Sequence, residues 1–128
     1  MHHPPPSDAE LTVLKHFWKA GRQSVREVHA AIGQATGWKP STTRTVIARM
    51  EAKGLLSRED MHGLSVYSAA SDKVSTLAGL MTSLARDVFE MKGAVPASFF
   101  ADSPLLSEDE AAELEALVST ALEEDGDA

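Results

Sequence analysis

The sequence of 128 residues contains no cysteine, which excludes disulfide bonds, thiolate metal sites and cysteine nucleophiles. It also has no apolar run approaching the roughly 18 residues that a membrane-spanning helix needs. The first eight residues, MHHPPPSD, have neither the basic start nor the apolar segment of a secretory signal. We therefore expect a cytoplasmic protein that is not inserted into a membrane.

Motifs that would indicate catalysis or a cofactor are missing as well. The five histidines show no paired catalytic spacing, and there is no nucleophile elbow or phosphate-binding loop. His16 and His29 are expected on exposed helix surfaces. The acidic C-terminus lacks the alternating ligands and internal glycine of a calcium loop. The sequence accordingly predicts no enzyme activity, no metal site and no cofactor.

The net charge of −7 is distributed unevenly along the chain. Residues 1–70 hold nine Lys or Arg and six Asp or Glu, a net charge of +3, whereas residues 71–128 hold three and thirteen, a net charge of −10. A hydrophobic content of 43% is sufficient for a folded core. Because the basic half can meet phosphate groups while the acidic half faces away, the negative total does not exclude a nucleic-acid partner.

Two S-x-x-E capping boxes predict the start of the first two helices, Ser7 with Glu10 and Ser24 with Glu27. Apolar residues follow each box at helical spacing, and glycines end both helices. Arg26 lies in the first turn of the second helix, where the helix N-terminus already favours an anion, so we expect a phosphate contact there.

The segment 39–56, KPSTTRTVIARMEAKGLL, predicts a third helix that starts at Ser41 as N-cap and stops at Gly54. One face should be buried, and it comprises Thr43, Val46, Ile47 and Met50. The opposite face comprises Ser41, Arg44, Thr45 and Ala48. Such a face suits the DNA major groove, since arginine can bond guanine bidentately and hydroxyls can donate or accept.

The period of the pattern changes after the third helix. Residues 56–59 and 64–68 are typical of two short strands, and residues 60–63 have the composition of a hairpin turn. Three helices followed by a hairpin is the order of a winged helix-turn-helix, which places the third helix in the major groove and the hairpin, or wing, along the backbone. The DNA contacts predicted from this pattern are Arg26, Lys39, Ser41, Arg44, Thr45, Arg58, His62 and Ser65.

The C-terminal half predicts two further helices, the first capped by Ser71 or Asp72 and the second opened by Ser107 with Glu110. The apolar stripe of the first of these helices packs either on the winged helix or on a second copy of the chain. A linker, residues 93–104, separates the helices and presents Phe99 and Phe100 to solvent. The predicted dimer interface comprises Leu77, Leu80, Met81, Leu84, Val88, Met91, Leu114, Leu117, Val118 and Leu122.

The predicted organisation is therefore mainly α with a small β-hairpin wing. A flexible N-terminus, residues 1–6, precedes a winged-helix DNA-binding domain, residues 7–70. A helical dimerisation region, residues 71–122, and a frayed acidic tail, residues 123–128, complete the chain.

Four segments of the chain resemble the penicillinase repressors and the related copper-operon repressors. They are LTVLKHFWKAG at 11–21, SVREVHAAI at 24–32, WKPSTTRTVIARMEAKGLL at 38–56 and LSEDEAAELEALV at 106–118. The resemblance implies a homodimeric repressor on a two-fold-symmetric operator, with contacts to DNA from Ser41, Thr42 and Arg44. The chain has none of the C-terminal cysteine pairs that copper-responsive relatives use.

The resemblance also implies a mechanism of release. In that family a membrane sensor-protease often causes repressor cleavage before the last helix, and the matching segment here is residues 97–100, ASFF. Relatives cut in this way have asparagine before the phenylalanine, whereas this chain has Ser98 before Phe99, so cleavage between these two residues is a hypothesis.

Two other functions are alternatives to a DNA-binding repressor. The chain is then either a winged-helix module that binds proteins without reading DNA, or an activator or regulator of another pathway.

Overall fold

The structure is a computed structural model that describes residues 5–126. It divides into two compact units, Met1–Ser71 and Asp72–Ala128. Residues 1–4 of the predicted flexible N-terminus and residues 127–128 of the predicted acidic tail lie outside the described part of the chain. Within residues 5–126, no helix is long and apolar enough to cross a membrane.

The first unit contains three helices followed by a two-stranded antiparallel hairpin. The elements are α1 (Asp8–Ala20), α2 (Val25–Thr36), α3 (Pro40–Ala52), β1 (Leu56–Met61) and β2 (Leu64–Ala69). The capping boxes predicted at Ser7 and Ser24 are both present. The prediction for α3 was wrong at its start, because the N-cap is Lys39 and Pro40 takes the first helical position, where its missing N–H costs nothing.

The hairpin turn is shorter than the sequence predicted. Met61 pairs with Leu64, so the loop consists of His62 and Gly63 alone, with φ angles of 52° and 80°. Two consecutive positive φ angles define the type I′ turn, whose twist matches the flanking strands. The sequence obscured this turn because asparagine or aspartate, rather than histidine, usually precedes the glycine.

The core of the first unit joins all three helices to the hairpin. Its buried residues are Val13, Leu14, Phe17, Val28, Ile47, Met50, Leu55, Leu56 and Tyr67. Gln23, between α1 and α2, exchanges two backbone hydrogen bonds with Tyr67, of 2.9 and 2.8 Å, and so extends the hairpin by one bridge. These contacts fix α2 and α3 against the base of the wing.

A charged pair also ties α1 to the end of α3. Glu10 is only 5% exposed, and its carboxylate lies 2.9 Å from the Lys53 ammonium. Burial acts to raise the pKa of Glu10, but hydrogen bonds from the Ser7 backbone and from Lys53 outweigh it, so the pKa lies below its ordinary value. The capping carboxylate of α1 therefore also serves as an anchor for α3.

The second unit packs two helices together. It contains α4 (Lys73–Ser83), a π-helical segment (Leu84–Val88), a 3₁₀ turn (Ala97–Phe100) and α5 (Glu108–Gly126). Of the two predicted caps of α4, Asp72 is the one used, since its carboxylate accepts from the Ser75 backbone at 3.0 Å. The capping box predicted at Ser107 is present, with hydrogen bonds of 3.0 and 3.1 Å to Glu110.

Two sequence expectations for the second unit were wrong. The stripe predicted to run along one helix to Met91 is interrupted, because the helix widens at Leu84 and ends before Glu90, whose φ is 54°. The start of the predicted frayed tail is helical, since α5 continues to Gly126. A wider π-helical turn rotates later side chains off the stripe that a uniform 3.6-residue period predicts.

The core of the second unit comprises Val74, Ala78, Ala85, Val95, Phe100, Leu114, Val118 and Leu122. Phe100 is buried, so the expectation that it faces solvent was wrong, whereas Phe99 is 60% exposed. The Val95 N–H donates to the Ser119 hydroxyl at 2.9 Å and thereby fixes the linker against α5.

Candidate nucleic-acid interface

The outward face of α3 carries polar side chains at its N-terminal end. Ser41, Thr42, Arg44 and Thr45 are all exposed, while Thr43 is fully buried. The Thr45 hydroxyl donates to the Ser41 carbonyl at 3.0 Å, which leaves its oxygen lone pairs to accept from an external group. The helix therefore presents hydroxyls and one guanidinium on a single surface.

Arg26 and Arg44 come together although they belong to different helices. Both line a shallow cleft between the N-terminal parts of α2 and α3, together with Val25, His29 and Pro40. Neither guanidinium has a hydrogen-bond or ion-pair partner among the described residues. Two like charges on one cleft repel each other, so this cleft favours an anion between them.

The first turn of α3 adds to the positive potential of this surface. Its N-cap, Lys39, is exposed and makes no side-chain cap, and its carbonyl accepts from the N–H groups of Thr42 and Thr43. Because Pro40 has no N–H, the Ser41 N–H remains as a donor at the helix start, where the helix dipole favours negative charge.

His29 does not lie on an exposed helix surface as the sequence suggested. Its Nδ1 is 2.7 Å from the Oγ1 of the buried Thr43, and this hydrogen bond joins α2 to α3. His16 is likewise half-buried, with Nε2 2.6 Å from the Gln23 Oε1. Sequence reasoning missed both roles because each partner lies on another segment.

The predicted wing residues have acidic neighbours. Arg58 lies 3.7 Å from Glu51, and the Glu51 carboxylate, followed by that of Asp60, raises the pKa of Arg58. The Ser65 hydroxyl donates to Asp60 at 2.8 Å, and His62 is exposed at the tip. The structure thus places the three predicted wing contacts on the hairpin, apart from the two free arginines of the cleft.

Arg22, between α1 and α2, is neutralised in the same way as Arg58, since it pairs with Glu59 of the hairpin at 3.1 Å. The cations of the first unit therefore fall into two groups, with Arg22, Lys53 and Arg58 paired to carboxylates. Arg26, Lys39 and Arg44 have no such partner within residues 5–126. Lys15, Lys19 and Arg49 likewise have no carboxylate partner in the described part of the chain, so Arg26, Lys39 and Arg44 are the unneutralised cations that lie around the N-terminal parts of α2 and α3.

A sequence model of the penicillinase repressors matches residues 6–120. The chain belongs to the penicillinase repressor family. A curated relative, the penicillinase repressor of Bacillus licheniformis, is 33% identical over 70 residues, which cover 55% of each chain. The match thus spans about half the length of that relative.

Two solved structures resemble the chain at 32% identity and a TM-score of 0.51, over 56% of this chain and 88% of theirs. One is the DNA-binding domain of the repressor BlaI, and the other is the monomeric Bacillus licheniformis BlaI in complex with the blaP half-operator. The fold predicted from the sequence, a winged helix with a C-terminal helical region, is confirmed.

The residues predicted to form the dimer interface have three different environments. Leu84, Val88 and Leu117 are exposed, and Leu77, Leu80, Met81 and Met91 are half-buried. Leu114, Val118 and Leu122 are enclosed by residues of their own unit. Phe89, which falls off the uniform helical stripe and was not among the predicted residues, is 66% exposed. Ser98 and Phe99, at the hypothetical cleavage position, are both exposed.

Proposed function

We propose that the chain is a transcriptional repressor that binds operator DNA with α3 in the major groove. The observation that carries this proposal is the pair of unneutralised arginines, Arg26 and Arg44, beside the exposed hydroxyls of α3. The half-operator complex of the similar BlaI repressor supports DNA as the ligand of this face. A cleft lined by free cations and a helix N-terminus matches the chemistry of a phosphodiester backbone.

Each contact residue has a role set by its reach. Arg44 projects from the exposed face of α3 and can bond a guanine edge bidentately, whereas Ser41 and Thr42 accept or donate at shorter range. Arg26 and Lys39 neutralise phosphates and so position the helix without reading sequence. Thr45 keeps its hydroxyl proton within the helix and acts as an acceptor.

We propose further that the second unit makes the repressor a homodimer. Its exposed apolar side chains are Leu84, Val88, Phe89, Phe99 and Leu117. Large apolar side chains exposed in this way are typical of a partner surface, and a two-fold pair is the commonest closed assembly. Two linked reading heads on a two-fold-symmetric operator gain about 10²–10⁴ in avidity over one head.

Release through the C-terminal region fits the way the second core is built. The Ser98–Phe99 bond lies in the 3₁₀ turn before α5, and both of these residues are exposed. Helix α5 supplies Leu114, Val118 and Leu122 to the core, so a cut between the helices would leave them held only by noncovalent contacts. A membrane sensor-protease that caused this cut would weaken the dimer and release DNA without altering α3.

A selection of genomic DNA fragments by the purified chain tests the DNA-reading part of the proposal. We expect an enriched inverted repeat whose half-sites lie about one helical turn, or a multiple of it, apart. Arg44→Ala should lose about 1–3 kcal/mol of operator affinity and relax base preference at one position per half-site. Lys15→Ala, which removes one exposed charge from α1, is the matched control and should keep the preference.

The salt dependence of binding decides between DNA reading and a protein-binding module. Binding through several phosphates weakens steeply as salt rises, and Arg26→Ala should reduce the logarithmic slope by about one. If wild-type protein enriches no sequence over the Arg44→Ala variant at low salt, the protein-binding alternative becomes the better explanation.

The dimer proposal is tested with an exposed residue, so that folding is not compromised. Val88 is 66% exposed, and Val88→Asp should raise the dimer dissociation constant about tenfold or more. Thr120→Asp, at an exposed position of α5, is the control for added charge. Sedimentation equilibrium measures both variants, and an unchanged dimer in Val88→Asp would remove this residue from the interface.

A further inference from the structure

His29 lines the same cleft as Arg26 and Arg44. The Nδ1 atom of its imidazole is held by the buried Thr43 hydroxyl at 2.7 Å. The ring also lies directly over Gly33, since a Cβ on that residue would approach the ring atoms to 2.6–2.9 Å. Glycine at this position therefore makes the space that the ring occupies, and the ring orientation is fixed from two sides.

The second ring nitrogen is left for an external partner. No described protein group forms a hydrogen bond with the Nε2 of His29. No buried side-chain nitrogen or oxygen among the described residues lacks a partner, so this unbonded nitrogen reaches solvent. When the Thr43 hydroxyl donates to Nδ1, the neutral imidazole carries its proton on Nε2 and becomes a hydrogen-bond donor there.

We infer that His29 donates a hydrogen bond from Nε2 to the DNA phosphate that Arg26 and Arg44 neutralise. The inference rests on the proposed function, because the anion in the cleft is taken to be a phosphodiester. A neutral donor between two guanidiniums adds a directional bond without adding to their repulsion. His29 thus couples the recognition helix to the backbone contact, since the same ring bonds Thr43 of α3 and the phosphate.

Two substitutions separate the phosphate contact from a purely structural role. The amide of asparagine can take the place of Nδ1 and keep the bond to Thr43, whereas the longer glutamine carries its amide nitrogen to the position of Nε2. A phosphate contact therefore predicts tighter DNA binding for His29→Gln than for His29→Asn. A role limited to holding Thr43 predicts the reverse order.

Fluorescence anisotropy with a mixed-sequence DNA duplex at low salt measures the relevant affinity, because non-specific binding depends on phosphate contacts. We expect His29→Asn to bind about 3- to 10-fold more weakly than wild type and His29→Gln to recover most of that loss. In an Arg26→Ala background the loss from His29→Asn should be smaller, since both residues serve one phosphate. Tryptophan fluorescence confirms that each variant is folded under the binding conditions.

Failure of this inference is distinguishable from failure of the proposed function. If wild type binds the duplex more tightly than the Arg26→Ala/Arg44→Ala double variant but His29→Asn binds like wild type, His29 has no phosphate contact. Tighter binding of the duplex by His29→Asn than by His29→Gln would also show that His29 has no phosphate contact. If wild type and the double variant bind equally weakly, the cleft does not bind DNA, and the proposed function falls together with the role of His29.

Discussion

Adding one methyl group at Gly33 should test how α2 is joined to the recognition helix. In Gly33→Ala the new Cβ would lie 2.6 Å from the His29 Cε1 and 2.9 Å from Nδ1, so the ring must leave its position. The displaced ring can no longer bond Thr43, which is fully buried and has no route to water. The substitution therefore sacrifices one specific hydrogen bond between α2 and α3.

Two opposing effects determine the size of the change. Alanine is favoured over glycine inside a helix by about 1 kcal/mol. Loss of the hydrogen bond costs about 1 kcal/mol, and the buried hydroxyl left without a partner raises the cost by about 1–2 kcal/mol. We expect Gly33→Ala to destabilise the first unit by about 1–2 kcal/mol, although the same change in an open helix position would stabilise it.

A double-mutant cycle combines Gly33→Ala with Thr43→Val. The second substitution removes the hydroxyl while keeping a β-branched side chain. In this background Gly33→Ala has no hydrogen bond left to break, so it should be neutral or stabilising by up to about 1 kcal/mol. The coupling energy between the two positions, which is the difference between these two effects of Gly33→Ala, should be about 1–3 kcal/mol.

Urea unfolding followed by tryptophan fluorescence is the assay. Both tryptophans, Trp18 and Trp38, belong to the first unit, so their signal reports this unit alone. If Gly33→Ala shifts the unfolding free energy equally in the wild-type and Thr43→Val backgrounds, the ring does not link the two helices as described.

Two further changes probe one contact in each unit. Because the pKa of Glu10 is lowered in the folded state, its contribution to stability is present above its ordinary pKa of 4.5 and is lost as pH falls through the folded value. Lys53→Met weakens that contribution, so acid unfolding, followed by tryptophan fluorescence, should begin at higher pH than in the control Lys15→Met, which changes an exposed lysine. If the two variants unfold at the same pH, the Glu10–Lys53 pair does not stabilise the fold. In the second unit, Ser119→Ala leaves the buried Val95 N–H without its acceptor, and amide hydrogen exchange at Val95 should accelerate about tenfold; unchanged protection would show that the bond does not hold the linker.

The apolar residues of the second unit illustrate why sequence periodicity cannot separate a core from an exposed surface. The stripe that carries Val88 and the stripe that carries Leu114 and Val118 belong to different predicted helices, and periodicity cannot tell which of these residues pack within their own chain. In the structure Leu114 and Val118 fill the core of the second unit, while Val88 and Phe89 are exposed because the helix widens before it ends. The local geometry of the helix therefore decides which apolar side chains of this segment are exposed.

The sequence by itself determined where α1, α2 and α5 begin and in which order helices and strands follow. The boxes at Ser7, Ser24 and Ser107 could be identified because their bonds join residues three apart, within a single turn. The pattern that predicted two strands and a turn at residues 60–63 is equally local, although the turn is shorter than predicted, since histidine is unusual before the glycine of a two-residue turn.

Only the tertiary structure decided how the candidate site is assembled. The bond from His29 to Thr43 spans 14 positions, and that from Lys53 to Glu10 spans 43, so no local pattern predicts either one. The same holds for the choice of which arginines remain unneutralised, because Arg22 and Arg58 meet carboxylates on other elements while Arg26 and Arg44 meet none in the described chain. Partners distant in sequence are brought together only when the helices and the hairpin pack around their shared core.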